Sequence, residues 1–272
     1  MPEGHTLHRL ARLHQRRYAR APVAVSSPQG RFAEGAAAVD GRVLKKADAW
    51  GKHLFHHYGA RPGRGDGGLI VHVHLGLYGT FTEHAVPLPA PRGAVRMRMV
   101  GAEYGTDLRG PTACEVLDQH EVDAILARLG PDPLRPDADP TPAWSKIAKS
   151  RRPIAALLMD QSVLAGVGNV YRSELLFRHR INPYRPGTSI TSDEFAAAWD
   201  DLVALMKVGL RRGRIITIRT EDDRGAPSWR PGGPRHYVYR RTGEPCRICA
   251  TPIRTAVVEG RNLYWCPHCQ SD

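Results

Sequence analysis

Four of the five cysteines lie close together near the end of the chain and limit what this segment can fold into. Cys246 and Cys249 form a C-x2-C pair, and after a gap of sixteen residues Cys266 and Cys269 form a second pair. This spacing is typical of four thiolates around one tetrahedral zinc ion, because a turn inside each pair directs both sulfurs at the same ion. A segment this short cannot bury a core of its own, so the metal would supply its folding free energy. We therefore predict one structural Zn2+, with two disulfides or buried free thiols as the alternative.

The sequence between the two cysteine pairs predicts a β-hairpin. The stretch "TAVVEGRNLYW" places Gly260 in the turn and Arg261 near the tip. Because cysteines fill all four ligand positions, the predicted site has no open position for a catalytic water. The fifth cysteine, Cys114, is expected to be a buried or edge-strand thiol.

The charge of the chain indicates a polyanionic partner. Lys and Arg number 39 against 27 Asp and Glu, which gives a formal net charge of +12. Such an excess points to nucleic acid first and to an anionic membrane second. The sequence has no run of about 18 apolar residues that could form a transmembrane helix, and its start lacks the apolar core of a secretory signal. We expect a cytoplasmic, nucleoid-associated protein with reduced cysteines.

The residue pattern divides the chain into blocks. Up to about residue 130, one N-terminal helix precedes alternating segments at 53–58, 69–81 and 94–100, which predict an antiparallel sandwich or barrel. Residues 131–143 contain five prolines and are interpreted as a linker. From 144 to 212 apolar residues recur at helical spacing, with Ser192 as a candidate cap.

The helical block contains a candidate anion site. In "LAGVGNVYRSELL", Gly166 and Gly168 precede a helix whose predicted first residue is Asn169. Helix starts approached by glycines offer free N–H groups and a positive dipole to an anion, and an asparagine amide would add a donor to a phosphate. The alternative is a plain asparagine N-cap. Further on, the arginine-rich stretch 207–224 either lines a base pocket, contacts phosphates, or forms a solvated face.

The first residues of the chain allow two interpretations. Pro2 and Glu3 follow Met1 directly and precede an amphipathic helix. Proline and an acid at this place are common at the start of a helix. If Met1 is removed, however, the ring nitrogen of Pro2 becomes a free secondary amine beside a carboxylate.

Four separate features together resemble the formamidopyrimidine-DNA glycosylase and endonuclease VIII family: the Pro-Glu start, "WGKHL", "GVGNVYRSELL" and "EGRNLYWCPHCQ". The resemblance runs nearly from end to end. It implies a multidomain α+β fold: a two-layer β-sandwich with a leading helix at 1–130, a helix-two-turn-helix DNA-binding domain at 131–220 and a zinc β-hairpin finger at 237–271. It also implies that DNA lies in the cleft between the two halves.

The resemblance assigns roles to residues. After removal of the start methionine, Pro2 is the nucleophile that attacks C1′ of the damaged nucleotide, and Glu3 is the general acid that protonates the sugar ring oxygen. Lys52, in the strand-like stretch "GKHLFHHY", matches the lysine that assists β-elimination and holds a phosphate near the lesion. Arg261 matches the finger arginine that binds phosphates and assists δ-elimination, and Asn169 matches the phosphate-binding asparagine.

An enzyme that acts on a base must take it out of the stack and fill the gap. By the resemblance, Leu77 occupies the position of the wedge methionine of the purine-acting branch, with Tyr78 beside it; Leu77 in the sandwich core is the alternative. Arg109 is kept, but Pro111 stands where that branch has phenylalanine. The opening "MPEGH" is closer to the endonuclease VIII branch, which favours oxidised pyrimidines.

We therefore predict a monomeric bifunctional DNA glycosylase and abasic-site lyase of base excision repair. Its expected partner is double-stranded DNA with oxidised or abasic lesions, and a membrane partner is not expected. Three alternatives remain at this point: a purine-acting glycosylase, a damaged-DNA-binding module without catalysis, and a zinc-dependent hydrolase. The last is disfavoured because the predicted metal site is fully ligated by cysteine.

Overall fold

A computed structural model describes residues 2–61, 67–223, 227–230 and 232–271 of the chain. The chain forms two compact units, an N-terminal unit of residues 1–128 and a C-terminal unit of residues 129–272. No helix within these described ranges is long and apolar enough to cross a membrane.

The N-terminal unit consists of two four-stranded antiparallel sheets, a leading helix and two short helices. In chain order its elements are α1 (Gly4–Tyr18), β1 (Ala24–Ser26), α2 (Ala33–Val39), β2 (Leu44–Trp50), β3 (His53–Tyr58), β4 (Leu69–His74), β5 (Thr80–Ala85), β6 (Val95–Val100), β7 (Tyr104–Arg109), β8 (Ala113–Leu117) and α3 (Gln119–Leu126). The strand orders are β2-β3-β4-β8 and β1-β6-β7-β5. Inward residues of both sheets share one core, for example Leu54 and Val73 from the first and Met97 and Leu108 from the second. The predicted β-sandwich is confirmed.

Helix α1 forms because its apolar and histidine residues recur at helical spacing. Leu7, Ala11, His14 and Tyr18 are buried, and they lie three or four residues apart on one face. Leu7, Ala11 and Tyr18 belong to the sandwich core. The buried face of α1 thus packs the helix against the sandwich core. Glu3, the residue directly before the helix, is held in place with it.

The alternating segment predicted at 69–81 is not one strand. It divides into β4, a loop at 75–79 and β5. Gly76 has a φ of +63°, and a Cβ on Gly79 would lie 2.3 Å from the backbone oxygen of Leu75. The two glycines therefore allow a tight reversal that the hydrophobic alternation alone does not reveal.

The C-terminal unit is helical and ends in a hairpin. Its elements are α4 (Thr141–Ile147), α5 (Ile154–Leu157), α6 (Asn169–Arg178), α7 (Ser192–Arg212), β9 (Arg254–Val258) and β10 (Arg261–Trp265). Helix α7 starts with a capping box, in which the Thr191 side chain accepts from the Glu194 N–H and the Glu194 side chain accepts from the Thr191 N–H. The cap is therefore Thr191, and the prediction of Ser192 was wrong by one residue.

The proline-rich stretch 131–143 does not behave as a linker. Leu134 is buried in the core of the C-terminal unit, and the Asp132 carboxylate accepts from its N–H at 2.9 Å. Ala143, at the other end of the stretch, is fully buried inside α4. The prolines shape turns that start the helical unit, so the linker interpretation is corrected.

Candidate functional site

Three loops meet at one end of the first sheet. The β2–β3 turn ends at His53, which pairs with His74 at the end of β4, and His74 pairs in turn with Ala113 at the start of β8. The loop at 75–79 follows His74 directly, and the Thr112 N–H donates to the His74 carbonyl oxygen at 2.8 Å. We call this end of the N-terminal unit, formed by residues 51–52, 75–79 and 110–112, the loop end.

Helix α1 packs along β2. The Gln15 side chain accepts from the Ala47 N–H at 2.7 Å, and Ala19, just after the helix, bridges Leu44. From Ala19 back to Gln15 the partner on β2 therefore moves forward from Leu44 to Ala47, which directs the start of α1 towards the β2–β3 turn. From Gln15 back to Glu3 the helix rises about 18 Å, and from Ala47 forward to Lys52 the strand rises about 17 Å. The two lengths are similar, so a helix that stays alongside β2 would bring Pro2 and Glu3 towards the turn that carries Lys52.

Glu3 is fully buried, and Pro2 is half-buried. Glu3 is the residue before α1, and its backbone oxygen accepts from the Thr6 N–H at 2.8 Å, while its side chain makes no capping bond to the helix. A buried carboxylate that does not cap its helix is not explained by ordinary helix punctuation, since an acid at that place normally serves the helix dipole from solvent. Met1, whose removal the prediction requires, lies outside the described residues.

Lys52 lies in a turn and not in a strand, which corrects the sequence-based placement. Trp50 and His53 pair directly, so Gly51 and Lys52 form a two-residue hairpin loop. Gly51 has a φ of +56° and Lys52 has no positive φ, the pattern of a type II′ turn with glycine at its first position. The turn places the lysine at the loop end, which a position inside β3 would not do.

Leu77 and Tyr78 project from the loop end into solvent. Leu77 is 41 % exposed and Tyr78 is 86 % exposed. Gly79 N–H donates to the Leu75 carbonyl oxygen at 2.9 Å and closes the loop on itself. The alternative that Leu77 belongs to the sandwich core is therefore excluded, and the loop presents two large apolar side chains at its tip.

Arg109 is tied into an ion-pair network at the end of β7. Its guanidinium donates to Asp107 at 3.0 Å and to the Arg92 carbonyl oxygen at 3.1 Å, and Arg98 donates to the other side of Asp107 at 2.6 Å. Burial raises the pKa of Asp107, but the hydrogen bonds and charges of Arg98 and Arg109 outweigh it and hold that pKa below its ordinary value. Arg109 is thus held at the edge of the loop end with a charged carboxylate behind it.

Asn169 and Arg261 come together in the C-terminal unit. Asn169 is the first residue of α6, as predicted, and the N-cap is Gly168. The buried Arg172 donates from one terminal nitrogen both to the Asn169 side-chain oxygen and, at 2.9 Å, to the backbone oxygen of Asn262, the neighbour of Arg261. The amide oxygen of Asn169 is therefore held by Arg172, and Asn169 itself is buried.

The predicted hairpin is confirmed, and Arg261 lies at its tip. Glu259 and Gly260 both have positive φ, as a two-residue type I′ loop requires, and Arg261 pairs with Val258 beside it. Arg152 donates to both oxygens of Glu259 at 3.0 and 2.8 Å, which ties the turn to the segment before α5. The Arg261 side chain is exposed.

Glu174 was not identified from the sequence, although it binds the backbone of residues 237–239, the segment that leads to the zinc finger. Its buried carboxylate accepts from the N–H groups of Tyr237, Val238 and Tyr239 at 2.7, 2.8 and 2.8 Å, and from the Thr217 hydroxyl. An acid inside an apolar helix face is a weak signal, because its partners lie more than forty residues away.

The four cysteines fit one zinc ion. Their Sγ atoms all lie within 4.8 Å of one another, with separations of 3.9 Å for Cys246 and Cys269 and 3.5 Å for Cys249 and Cys266. A tetrahedral site with Zn–S bonds of about 2.3 Å has sulfurs about 3.8 Å apart. The arrangement therefore suits a structural zinc with a closed ligand shell.

Two histidines of the first sheet form a chain of hydrogen bonds that ends on Glu115. Glu115 accepts from the Nδ1 of His72 at 2.9 Å, so the Nε2 of His72 accepts from the Nδ1 of His53 at 2.8 Å. Burial lowers the pKa of His53 to about 3, with His72 and His74 adding to it. Within the described ranges, only the cysteine cluster brings three or more metal-ligating groups together.

The arginine-rich stretch 207–224, which begins in the last turns of α7, lines a cavity of about 760 Å³ in the C-terminal unit, together with Arg178 and Trp229. Residues 208, 211, 212 and 216–221 of the stretch contribute to its wall. Arg224, the last residue of the stretch, lies outside the described residues.

Three family models match the chain in order. The formamidopyrimidine-DNA glycosylase N-terminal domain matches residues 1–112, and the formamidopyrimidine-DNA glycosylase H2TH domain matches residues 129–221. The zinc finger found in FPG and IleRS matches residues 243–271. The matches cover most of the chain, in the order expected from the sequence.

Individual relatives agree with the family models. The chain is 70 % identical over 275 residues to Endonuclease 8 1 of Mycobacterium tuberculosis, with 100 % of both chains covered. It is 34 % identical over 249 residues to the formamidopyrimidine-DNA glycosylase of Thermus thermophilus, covering 87 % of this chain and 85 % of that protein. The structure of Lactococcus lactis Fpg in complex with DNA containing an abasic site superposes with a TM-score of 0.79 over 99 % of this chain and 100 % of that one, at 20 % identity. The last match establishes the fold.

Proposed function

The chain belongs to the formamidopyrimidine-DNA glycosylase and endonuclease VIII family of DNA glycosylases with abasic-site lyase activity, and from this premise we propose that it excises oxidised pyrimidines through an iminium at Pro2. The observation that carries the proposal is the full burial of Glu3 directly behind Pro2, at the start of a helix that packs along β2. DNA as the partner is supported by the net charge of +12 and by the relatives, whose solved complexes contain lesion DNA. A nucleoid location follows from that partner.

The reaction begins once Met1 is removed. The secondary amine of Pro2 attacks C1′ of the damaged nucleotide, the C1′–N bond to the base breaks, and the base leaves with its electron pair and takes up a proton, which balances the proton that the amine loses. An α-amino group has an ordinary pKa of about 8 against about 10.4 for lysine, so more of it is unprotonated at neutral pH. Because the amine is secondary, loss of its one proton gives a tertiary adduct that opens to an iminium without losing another.

Glu3 supplies the proton for ring opening. Protonation of the sugar ring oxygen lets the C1′–O4′ bond break as the iminium forms, and a buried carboxyl beside the amine is suited to deliver that proton. The iminium then acidifies the 2′ proton. Loss of this proton expels the 3′ phosphate, and a second elimination expels the 5′ phosphate, which frees the sugar from the strand.

The remaining site residues bind the DNA backbone. Lys52 at the β2–β3 turn assists the first elimination and holds a phosphate near the lesion, and Arg261 at the finger tip assists the second. Asn169 donates its NH2 group to a phosphate, as the anchoring of its oxygen by Arg172 favours.

Leu77 and Tyr78 fill the space of the extruded nucleotide, since both are large, exposed and held on a closed loop. Arg109 supports them at the edge of the loop end. The preference for pyrimidines is supported by the 70 % identity to a protein named Endonuclease 8 1, compared with 34 % to a formamidopyrimidine-DNA glycosylase.

Borohydride trapping tests the proposal. The processed protein is incubated with duplexes carrying thymine glycol, 8-oxoguanine or an abasic site, and borohydride reduces any iminium to a stable amine. We expect a covalent protein–DNA product mapped to Pro2, formed fastest on the abasic site and faster on thymine glycol than on 8-oxoguanine. Protein that retains Met1 should bind DNA without forming the product.

Two variants separate the steps. Glu3→Gln should slow base release more than strand cleavage at a preformed abasic site, since the open-chain aldehyde of an abasic site forms the iminium without protonation of the ring oxygen. Pro2→Gly keeps a terminal amine but should lose most of its trapping. Absence of a covalent product on all three duplexes, with salt-sensitive binding intact, would show a DNA-binding relative without chemistry.

A further inference from the structure

The face of α1 opposite its buried side carries a row of arginines. Arg9, Arg12 and Arg16 fall within about 60° of one another around the helix axis, and Arg20 follows directly after the helix. All four are exposed, and they lie opposite the buried face that starts with Leu7. We call these four residues the arginine stripe.

Three of the four arginines of the stripe, Arg12, Arg16 and Arg20, have no acidic partner among the described residues. Residues 4–33 contain six arginines and no Asp or Glu. The acids on the neighbouring strands are engaged elsewhere, since Glu83 accepts from Arg17 at 3.0 and 3.1 Å and Asp48 accepts from Lys46 at 2.6 Å. Arg12, Arg16 and Arg20 form no ion pair with any described residue.

The positive charges of the stripe reduce the stability of α1. Like charges three and four residues apart, as in Arg9 with Arg12 and Arg12 with Arg16, destabilise an α-helix. A binding partner of opposite charge would remove that penalty.

The lesion-bound duplex does not account for the stripe. In the proposed function, DNA lies across the loop end, where Lys52, Leu77 and Tyr78 meet. Helix α1 leads away from that end alongside β2, so Arg12 and Arg16 lie about 15 and 21 Å along the axis from Pro2. The charges therefore extend away from the surface that the lesion occupies.

The chemistry of the stripe favours nucleic acid over an acidic protein. Protein interfaces depend on buried aromatic or aliphatic anchors. The large apolar side chains exposed among the described residues are Leu77, Tyr78, Val86, Tyr184, Trp229 and Val257, and none lies on α1. A row of arginines whose helix positions are about 4.5–6 Å apart along the axis, without an apolar anchor, matches purely electrostatic contact with a phosphate backbone.

We propose that the arginine stripe binds a second segment of duplex DNA while the loop end is occupied, so that the protein passes directly from one DNA segment to another. The proposal rests on the proposed function only in taking DNA as the partner of the loop end. It adds a second, sequence-independent contact surface on the N-terminal unit.

Competitor-assisted dissociation tests it. The protein is bound to a short fluorescent lesion duplex, and the dissociation rate is followed as unlabelled undamaged duplex is raised. For the unchanged protein this rate should rise with competitor concentration, because the competitor binds before the first duplex leaves. In Arg12→Gln/Arg16→Gln/Arg20→Gln the competitor-dependent part should fall about tenfold, the size expected when electrostatic attraction is removed, and the rate extrapolated to zero competitor should stay the same.

A matched variant controls for the loss of three charges. Arg31→Gln/Arg92→Gln/Arg180→Gln removes three exposed arginines that lie outside the stripe, and it should keep the competitor dependence within about twofold. Borohydride trapping on the short lesion duplex should be equal for both variants and the unchanged protein.

Three results would overturn the proposal: no competitor dependence in the unchanged protein, the same dependence in the stripe variant, or weaker binding of the single short duplex by the stripe variant. An unchanged competitor dependence in the stripe variant would indicate that the stripe binds an acidic protein partner. Weaker binding of the short duplex by that variant would indicate that the stripe contacts the lesion duplex itself. The dissociation assay measures release of DNA and needs no catalytic step. A failure of borohydride trapping in the unchanged protein would therefore contradict the proposed function and leave the proposal for the arginine stripe untouched.

Discussion

Substitution of Glu174 by Gln offers the most direct test of how the finger is attached to the helical block. One oxygen of the carboxylate accepts from the Val238 and Tyr239 N–H groups, and the other accepts from the Tyr237 N–H and the Thr217 hydroxyl. A glutamine has the same shape but replaces one of the two oxygens with an NH2 group, which donates and cannot accept.

The cost follows from the orientation that the new amide adopts. If the NH2 group faces Val238 and Tyr239, two backbone N–H groups lose their acceptor; if it faces Tyr237, only one does, and the Thr217 hydroxyl still has the Arg235 carbonyl oxygen at 2.9 Å. The second orientation is therefore preferred. Losing one charge-assisted bond and leaving one buried donor unsatisfied costs about 2–4 kcal/mol of unfolding free energy, a large part of the 5–15 kcal/mol typical of a folded protein.

Urea unfolding at neutral pH measures the loss, and zinc release to a chromogenic chelator reports on the finger. Both should change in Glu174→Gln, because the segment at 237–239 leads into the first cysteine pair. The control is Glu244→Gln, an exposed acid that pairs with Arg241 at 2.8 Å, whose loss should cost less than about 1 kcal/mol. A loss below about 1 kcal/mol in Glu174→Gln, or zinc release at the control's rate, would refute this account of the carboxylate.

Three further outcomes are expected. His14 and His56 contact each other at 2.9 Å in the core. Burial lowers the pKa of His14 to about 3 and that of His56 well below its ordinary value. Since the unfolded chain takes up these protons near pH 6.5, the free energy of unfolding should fall as pH drops from 6.5 towards 3, by up to about 1.4 kcal/mol per pH unit for each group. Urea midpoints across that range should show a shallower fall in His14→Leu/His56→Leu, and an unchanged slope would contradict the assignment. Tyr78→Ala should leave the melting temperature within about 2 °C but weaken binding to an abasic duplex by about 1–3 kcal/mol, and equal binding would remove Tyr78 from the interface. Cys249→Ser should release zinc at lower chelator concentration and weaken DNA binding while the N-terminal unit stays folded, as hydrogen exchange can show; loss of protection throughout that unit would contradict it.

Much of the candidate site is determined by residues that lie close together in the sequence. The two cysteine pairs, the hairpin with Gly260 and Arg261, and the start of α6 at Asn169 were predicted correctly, because each depends on residues a few positions apart. Turn chemistry, metal-ligand spacing and helix starts are short-range properties. Where a prediction was off by one residue, as with Ser192 for Thr191, neighbouring residues offered equally good caps.

Other features were decided by contacts between distant parts of the chain. Lys52 was placed in a strand because it begins the strand-like stretch "GKHLFHHY", and only the pairing of Trp50 with His53 shows that it occupies a turn. The proline-rich stretch has the composition of a linker, yet the burial of Leu134 makes it part of the helical unit. Composition and periodicity report local preference, and tertiary burial overrides them.

The sequence by itself determined which chemical groups the protein carries: a proline and a glutamate behind the start methionine, four zinc-binding thiols and an excess of positive charge. The tertiary structure decided how they are held, through the antiparallel alignment of α1 with β2, the Arg172 bridge from Asn169 to the finger, and the Glu174 carboxylate that accepts from 237–239. These contacts join residues far apart in sequence. Their formation depends on the enclosed geometry of a folded core, which no local pattern of residues encodes.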